Sequence, residues 1–180
     1  NARGGLTAVL IGYLAVHLTQ HVLTPHFHFG EETHMDAMVS PGVGTWALVG
    51  LFPHAFFDGV AIAGAYLESP ELGSLVFMAV LLHKIPTGVS LASVMLASGN
   101  TRRATMVGVT LVGLATVVGA FVTPAIGLLA EYGLALAAGV TIYVAASNLI
   151  PETQKLRGPL VPTGIFLGIV AFYLTSFLLH

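Results

Sequence analysis

Long apolar runs alternate with short polar punctuation along the whole chain. Six runs are long enough to be helices that cross a lipid bilayer: Gly5 to Leu23, Val43 to Leu67, Leu72 to Ala97, Ala104 to Leu129, Leu134 to Ile150 and Leu160 to Leu179. A hydrocarbon core of about 30 Å takes about 20 apolar residues in helix. Barrel strands would alternate polar and apolar positions over about 10 residues, and these runs do not. The pattern therefore predicts an all-α, polytopic membrane helix bundle, a single transmembrane domain over residues 1–180. Glu68-Ser69-Pro70-Glu71 reads as a tight turn, so the second and third helices form an antiparallel hairpin. Asn100 to Arg103, Glu131-Tyr132-Gly133 and Lys155 to Pro159 mark further breaks. Residues 25–40 form the longest polar loop.

Composition agrees. Apolar residues make up 56% of the chain and charged ones 8%, against about 25% charged in soluble domains. Such a chain cannot cover a water-exposed surface. The net charge of -2 and the lack of a basic patch exclude a nucleic-acid partner, and the absence of cysteine excludes disulfides. Lys and Arg set the orientation. Arg102, Arg103, Lys155 and Arg157 share one side, and Arg3 stands alone on the other. The first side, with the His-rich 25–40 loop, is then cytoplasmic, and Asn1 and His180 lie outside. Gly164 and Gly168 in the last helix, and Gly59 and Gly64 in the second, suit close helix packing. Packing within the chain is the main expectation, and a homodimer interface the lesser one.

Ionisable groups at membrane depth point to function. The second helix carries Pro53-His54-Ala55-Phe56-Phe57-Asp58-Gly59, and the third His83-Lys84-Ile85-Pro86-Thr87-Gly88. Counted from the tight turn, His54 and His83 lie at nearly equal depth. His54 and Asp58, four apart, share a helix face. Imidazole and carboxylate together suit zinc, iron or manganese. His83 adds a third ligand and Thr87 a weak fourth. Such an open shell suits an ion that must leave again, whereas structural zinc sites are closed by four ligands. Pro53 and Pro86 each free a backbone carbonyl, and paired proline-interrupted helices point to a transport site at mid-membrane.

Bland readings stand beside these. A buried histidine is often only a hydrogen-bonded core residue. Lys84 either pairs with Asp58, neutralising both charges with no metal, or faces a vacant second site. Asn148 and Glu152 share a face at the end of the fifth helix, where Glu152 is either solvated or guards an exit. His17 and His21, continued by His26, His28 and His34, form either a loose metal-collecting stretch or a surface loop with incidental histidines.

These residues resemble the ZIP family of divalent-metal transporters, in particular its GufA-like bacterial branch. His54-Ala-Phe-Phe-Asp58-Gly59 is similar to the family's His-Asn-Phe-x-Asp-Gly signature, and His83-Lys-Ile-Pro86 to its His-Glu-Ile-Pro-His-Glu signature. Ala138 to Ala145, with Pro151-Glu152, looks like the family's seventh helix. The resemblance implies an eight-helix fold of which this chain holds helices three to eight, the first two being absent from a chain that starts at Asn1. It also implies a multi-pass protein of the cell membrane, here the bacterial inner membrane. Where the family's two-metal centre has Asn and Glu, this chain has Ala55 and Lys84, and Thr87-Gly88 replaces a later His-Glu. One metal is therefore expected, on His54, Asp58 and His83, with Lys84 as a fixed charge in place of the second.

The function implied is transport of a divalent cation, zinc first and iron, manganese or cadmium as alternatives, into the cytoplasm. Two rivals remain. One is a degenerate relative that senses metal or binds partners without transport. The other is an intramembrane metal hydrolase, which lacks a general base beyond Asp58. No enzymatic activity is expected.

Overall fold

A computed structural model describes residues 2–20, 41–155 and 158–178. Among them every regular element is helical: α1 (Ala2–Leu18), α2 (Pro41–Glu68), α3 (Pro70–Ala97), α4 (Arg102–Val122), a 3₁₀ turn (Thr123–Ala125), α5 (Gly127–Tyr143), a π-helical turn (Val144–Leu149), α6 (Ile150–Lys155) and α7 (Leu160–Leu178). Among the described residues, four helical stretches are long and apolar enough to cross a membrane: Gly42–Glu68, Pro70–Ala97, Arg102–Ala125 and Gly127–Ser147. Ala2–Leu18 and Leu160–Thr175 are shorter apolar helices. The His-rich 25–40 segment, with His26, His28 and His34, lies outside the described residues, as do His21 and Arg157.

Local chemistry sets the turns. Ser69 is extended and its hydroxyl accepts from the Leu72 amide at 3.1 Å, capping α3, with Pro70 at the first helical position. This is the chemistry a helix start requires, because the first amides lack intrahelical partners. At the other end, Gly99 takes φ 87°. The Asn100 amide reaches the Met95 carbonyl at 3.0 Å and the Gly99 amide the Leu96 carbonyl at 3.1 Å, a Schellman closure. Thr101 then caps α4 through the Ala104 amide at 3.2 Å.

The break between the fourth and fifth helices falls at Thr123–Ile126, not at Glu131-Tyr132-Gly133, which lie inside α5. Pro124 sits in the 3₁₀ turn and Ile126 is extended (φ -112°, ψ 109°). A proline ring opposes continuation of an α-helix, whereas Gly133 lies inside α5, buried and close to Val60.

Helix α2 is the hub, packed on α3, α4 and α5, while α1 packs on α5. Ala47, Leu51 and Ala55 of α2, Leu91 and Met95 of α3, and Val112 and Ala115 of α4 make one core, and Val16, Val140 and Tyr143 another. Two crossings bring backbones together. A methyl on Gly59 would collide with the Thr116 carbonyl, and one on Gly119 with the Phe56 carbonyl. Gly12 and Gly139 do the same for α1 and α5. Lipid tails supply no hydrophobic drive between helices, so such close approach is how they hold together. Gly164 and Gly168 meet nothing within 4 Å, so the described residues contain no packing partner for that pair.

Candidate metal centre

The α2–α3 hairpin brings His54, Asp58 and His83 together. Their ligand atoms all lie within 4.8 Å of one another. His54 Nε2 stands 3.7 Å from Asp58 Oδ1, and His83 Nε2 3.4 Å from Asp58 Oδ2. Two ligands about 2.1 Å from a tetrahedral zinc are about 3.4 Å apart, so both spacings are near those of a metal shell. The imidazoles are tilted by 31° with centroids 6.0 Å apart. Asp58, at 7% side-chain exposure, is the most enclosed, against 15% for His54, 22% for Lys84 and 43% for His83. The carboxylate is thus the fixed pole of the cluster, and the His83 ring its open edge.

Hydrogen bonding orients the rings. His83 Nδ1 lies 3.0 Å from the Ala79 carbonyl oxygen. A carbonyl only accepts, so Nδ1 carries the proton, and in the neutral ring Nε2 presents its lone pair to Asp58. Fixing a histidine tautomer through a backbone carbonyl is the usual preparation of a metal ligand. Two facing acceptors need a cation or a proton between or beside them. His54 Nδ1 is buried and has no hydrogen-bond partner among the described residues.

Lys84 reaches the same carboxylate. Its Nζ donates to Asp58 Oδ2 at 2.6 Å. The Thr87 hydroxyl donates to the His83 carbonyl at 2.8 Å, so it is held to its own helix. A cavity of about 420 Å³ adjoins the histidines, lined also by Pro86, Thr87, Ser90, Gln20 and Thr141. Ser90 follows His83 and Thr87 at helical spacing and was readable from the sequence on that ground. Gln20, just past α1, and Thr141 of α5 come from elsewhere in the fold, and no pattern along the chain links them to the site. Val144, Ala145 and Leu149 of the π turn line the same cavity. Asn148 and Glu152 follow at the α5–α6 junction, in the π turn and in α6. His17 stacks edge-on against Tyr143 at 5.7 Å, on the α1–α5 pair and apart from the triad.

Residues 28–175, most of the chain, match the family model described as ZIP zinc transporter. Zinc transporter SLC39A7 of Canis lupus familiaris is 31% identical over 153 residues, covering 77% of this chain and 31% of that protein. The human protein of the same name is 32% identical over 145 residues, 72% of this chain and 29% of its own. Zinc transporter ZIP9 of Micropogonias undulatus is 27% identical over 157 residues, 81% of this chain and 50% of its own. The chain thus spans about a third to a half of the length of these curated relatives. No solved structure matches it. With a family model covering both proline-interrupted helices and the triad they carry, the chain belongs to the ZIP zinc transporter family.

Proposed function

We propose that this chain forms part of a transporter that carries a divalent cation, zinc foremost, through a mid-membrane site made by His54, Asp58 and His83. The observation that carries the reading is the convergence of those three ligand atoms within 4.8 Å, inside two helices long enough to span a bilayer. Iron, manganese and cadmium are alternative cargoes, since the same nitrogen and oxygen donors accept them. Only deprotonated groups bind metal, so protons compete with the ion and assist its release.

The finer reading follows the residues. All six apolar helices span the membrane as one domain, in the manner of family helices three to eight in the GufA-like branch, within a bacterial inner membrane. The Arg102–Arg103 end is cytoplasmic. The cavity beside the triad is lined by Gly50, Thr87 and Ser90, on the half of α2 and α3 nearer that end, which supports release inward. Asn148 and Glu152 border that route, and His17 with His21, His26, His28 and His34 collects metal on the same side. Thr87 is a weak auxiliary ligand. The open glycine face of α7 is where a homodimer would meet. Membership of a transporter family agrees with the absence of an enzymatic role.

A second reading has one observation in its favour. The Lys84–Asp58 pair at 2.6 Å neutralises the carboxylate without metal, as suits a relative that senses metal or binds partners and no longer transports. Zinc binding to the detergent-solubilised protein, against the variant with both His54→Ala and His83→Ala, tests the site, and zinc flux in reconstituted vesicles tests transport. One zinc lost in the double variant together with flux in the wild type supports the transporter. Zinc bound without flux supports the second reading, and zinc retained by the double variant removes the triad as the site.

A further inference from the structure

Asp58 Oδ2 serves two neighbours at once. It faces the His83 Nε2 lone pair at 3.4 Å and accepts from the Lys84 ammonium at 2.6 Å. The latter is a little shorter than the usual charge-assisted hydrogen bond of about 2.7–2.9 Å. A metal ion bridging His83 and Asp58 needs the lone pairs of that same oxygen. Lys84 follows His83 directly, so its backbone cannot leave the site, but its four-carbon stem lets the ammonium swing.

From this shared oxygen we infer that Lys84 is a tethered competitor for the metal, a specificity-determining cation that must be withdrawn from Asp58 for a divalent ion to load and that returns as the ion leaves. The inference rests on the metal reading proposed above. Its electrostatics follow from the charges. With Lys84 on Asp58 the pair is neutral, so the enclosed carboxylate is never left bare between loading events; a bare buried charge is strongly unfavourable. A monovalent cation gains nothing by replacing an ammonium that already supplies one positive charge and a 2.6 Å contact. A divalent ion doubles the charge opposite Asp58 and adds two imidazole ligands, so it alone displaces the lysine. Once loaded, the nearby ammonium repels the metal and weakens its hold. The site therefore discriminates by charge and binds loosely enough to release.

Equilibrium zinc binding to the detergent-solubilised chain, with Lys84→Gln and Lys84→Arg beside the wild type, tests this. Removing the competitor tightens zinc binding by about tenfold, since opposed charges a few Å apart interact strongly at the effective dielectric of such sites. The zinc-induced rise in melting temperature is also larger for Lys84→Gln than for the wild type, because the metal then relieves an unpaired carboxylate. Arginine grips a carboxylate with a planar two-pronged fork, so Lys84→Arg weakens zinc binding several-fold. Arg carries the same charge as Lys, so this arm still decides the matter if Lys84→Gln does not fold. Wild-type affinity in either variant, with binding still lost in the His54→Ala, His83→Ala protein, overturns the competitor and leaves the metal site standing. Absence of zinc binding in folded wild type and in both lysine variants overturns the metal reading itself, and the competitor with it.

Discussion

Around the middle of α2, at the depth of Asp58, its two sides meet their neighbours by opposite means. Towards α4 the contact is backbone on backbone: Gly59 and Gly119 leave no room for a methyl, and the Thr116 hydroxyl donates to the Ala55 carbonyl at 2.8 Å. Towards α3 at the same depth the contact is polar, through His54, Asp58, His83 and Lys84, with a cavity beside it. The first side has one arrangement, because glycine-to-backbone contact cannot slide without collision. The second has groups that can exchange partners without moving a helix axis. A site that loads and unloads an ion needs both: a frame that fixes the depth of the carboxylate, and ligands free to trade one cation for another.

The largest effect is expected where the frame is broken. Gly119→Val places a branched side chain against the Phe56 carbonyl. Backbone cannot yield as a side chain can, so the cost is about 3 kcal/mol, read as a large fall in melting temperature in detergent, with zinc binding lost because the fold is lost. Wild-type stability in this variant would mean that the two helices do not touch along this line.

The polar side breaks differently. Asp58→Asn leaves Lys84 partly enclosed without its counter-charge, at a cost of about 2 kcal/mol, below the usual figure for a fully buried pair. Zinc binding is abolished while the helical content survives. Adding Lys84→Gln to Asp58→Asn restores most of the stability but none of the binding. A double-mutant cycle measures this coupling; zero coupling would show that the 2.6 Å contact is not a working ion pair.

Thr116→Val removes a single interhelical hydrogen bond and keeps the side-chain shape. Such bonds average about 0.6 kcal/mol in membranes, so the melting temperature drops slightly and zinc affinity stays put. A larger loss would mean that the Thr116 hydroxyl, more than the glycines, holds α4 on α2.

The polar side was the more legible in the sequence. A tight turn at Ser69-Pro70 and residue counting put His54 and His83 at one depth, and the four-residue spacing put Asp58 below His54. Lys84 was undecidable, because neighbouring residues in a helix point about 100° apart and only the reach of the stem settles where the ammonium goes. The frame was legible only in outline. Glycines announce close packing but not the partner: Gly59 found the Thr116 carbonyl, whereas Gly164 and Gly168 found nothing among the described residues. The α4–α5 break was misplaced because Glu131-Tyr132-Gly133 looks like a loop from polarity and glycine alone. The break falls instead at Pro124, in the 3₁₀ turn, and Gly133 lies inside α5 close to Val60, a contact distant in sequence. The π turn at Val144–Leu149 left no signal beyond the proline at Pro151.

Gly88 offers the smallest effect and the sharpest contrast with Gly119. It lies on α3 one residue past Thr87, and a methyl there would meet only Val109 Cγ1, at 3.7 Å, an ordinary van der Waals distance. No backbone opposes it, since α3 does not press on α4 as α2 does. Alanine also forms helix more readily than glycine, by up to about 1 kcal/mol in a helix interior. Gly88→Ala is therefore expected to leave the melting temperature unchanged or raise it by a degree or two, and to leave zinc affinity at the wild-type value, because the triad and Lys84 keep their contacts. Destabilisation comparable to that of Gly119→Val would show that α3 is packed on α4 as tightly as α2 is, and that the space beside Val109 is closed.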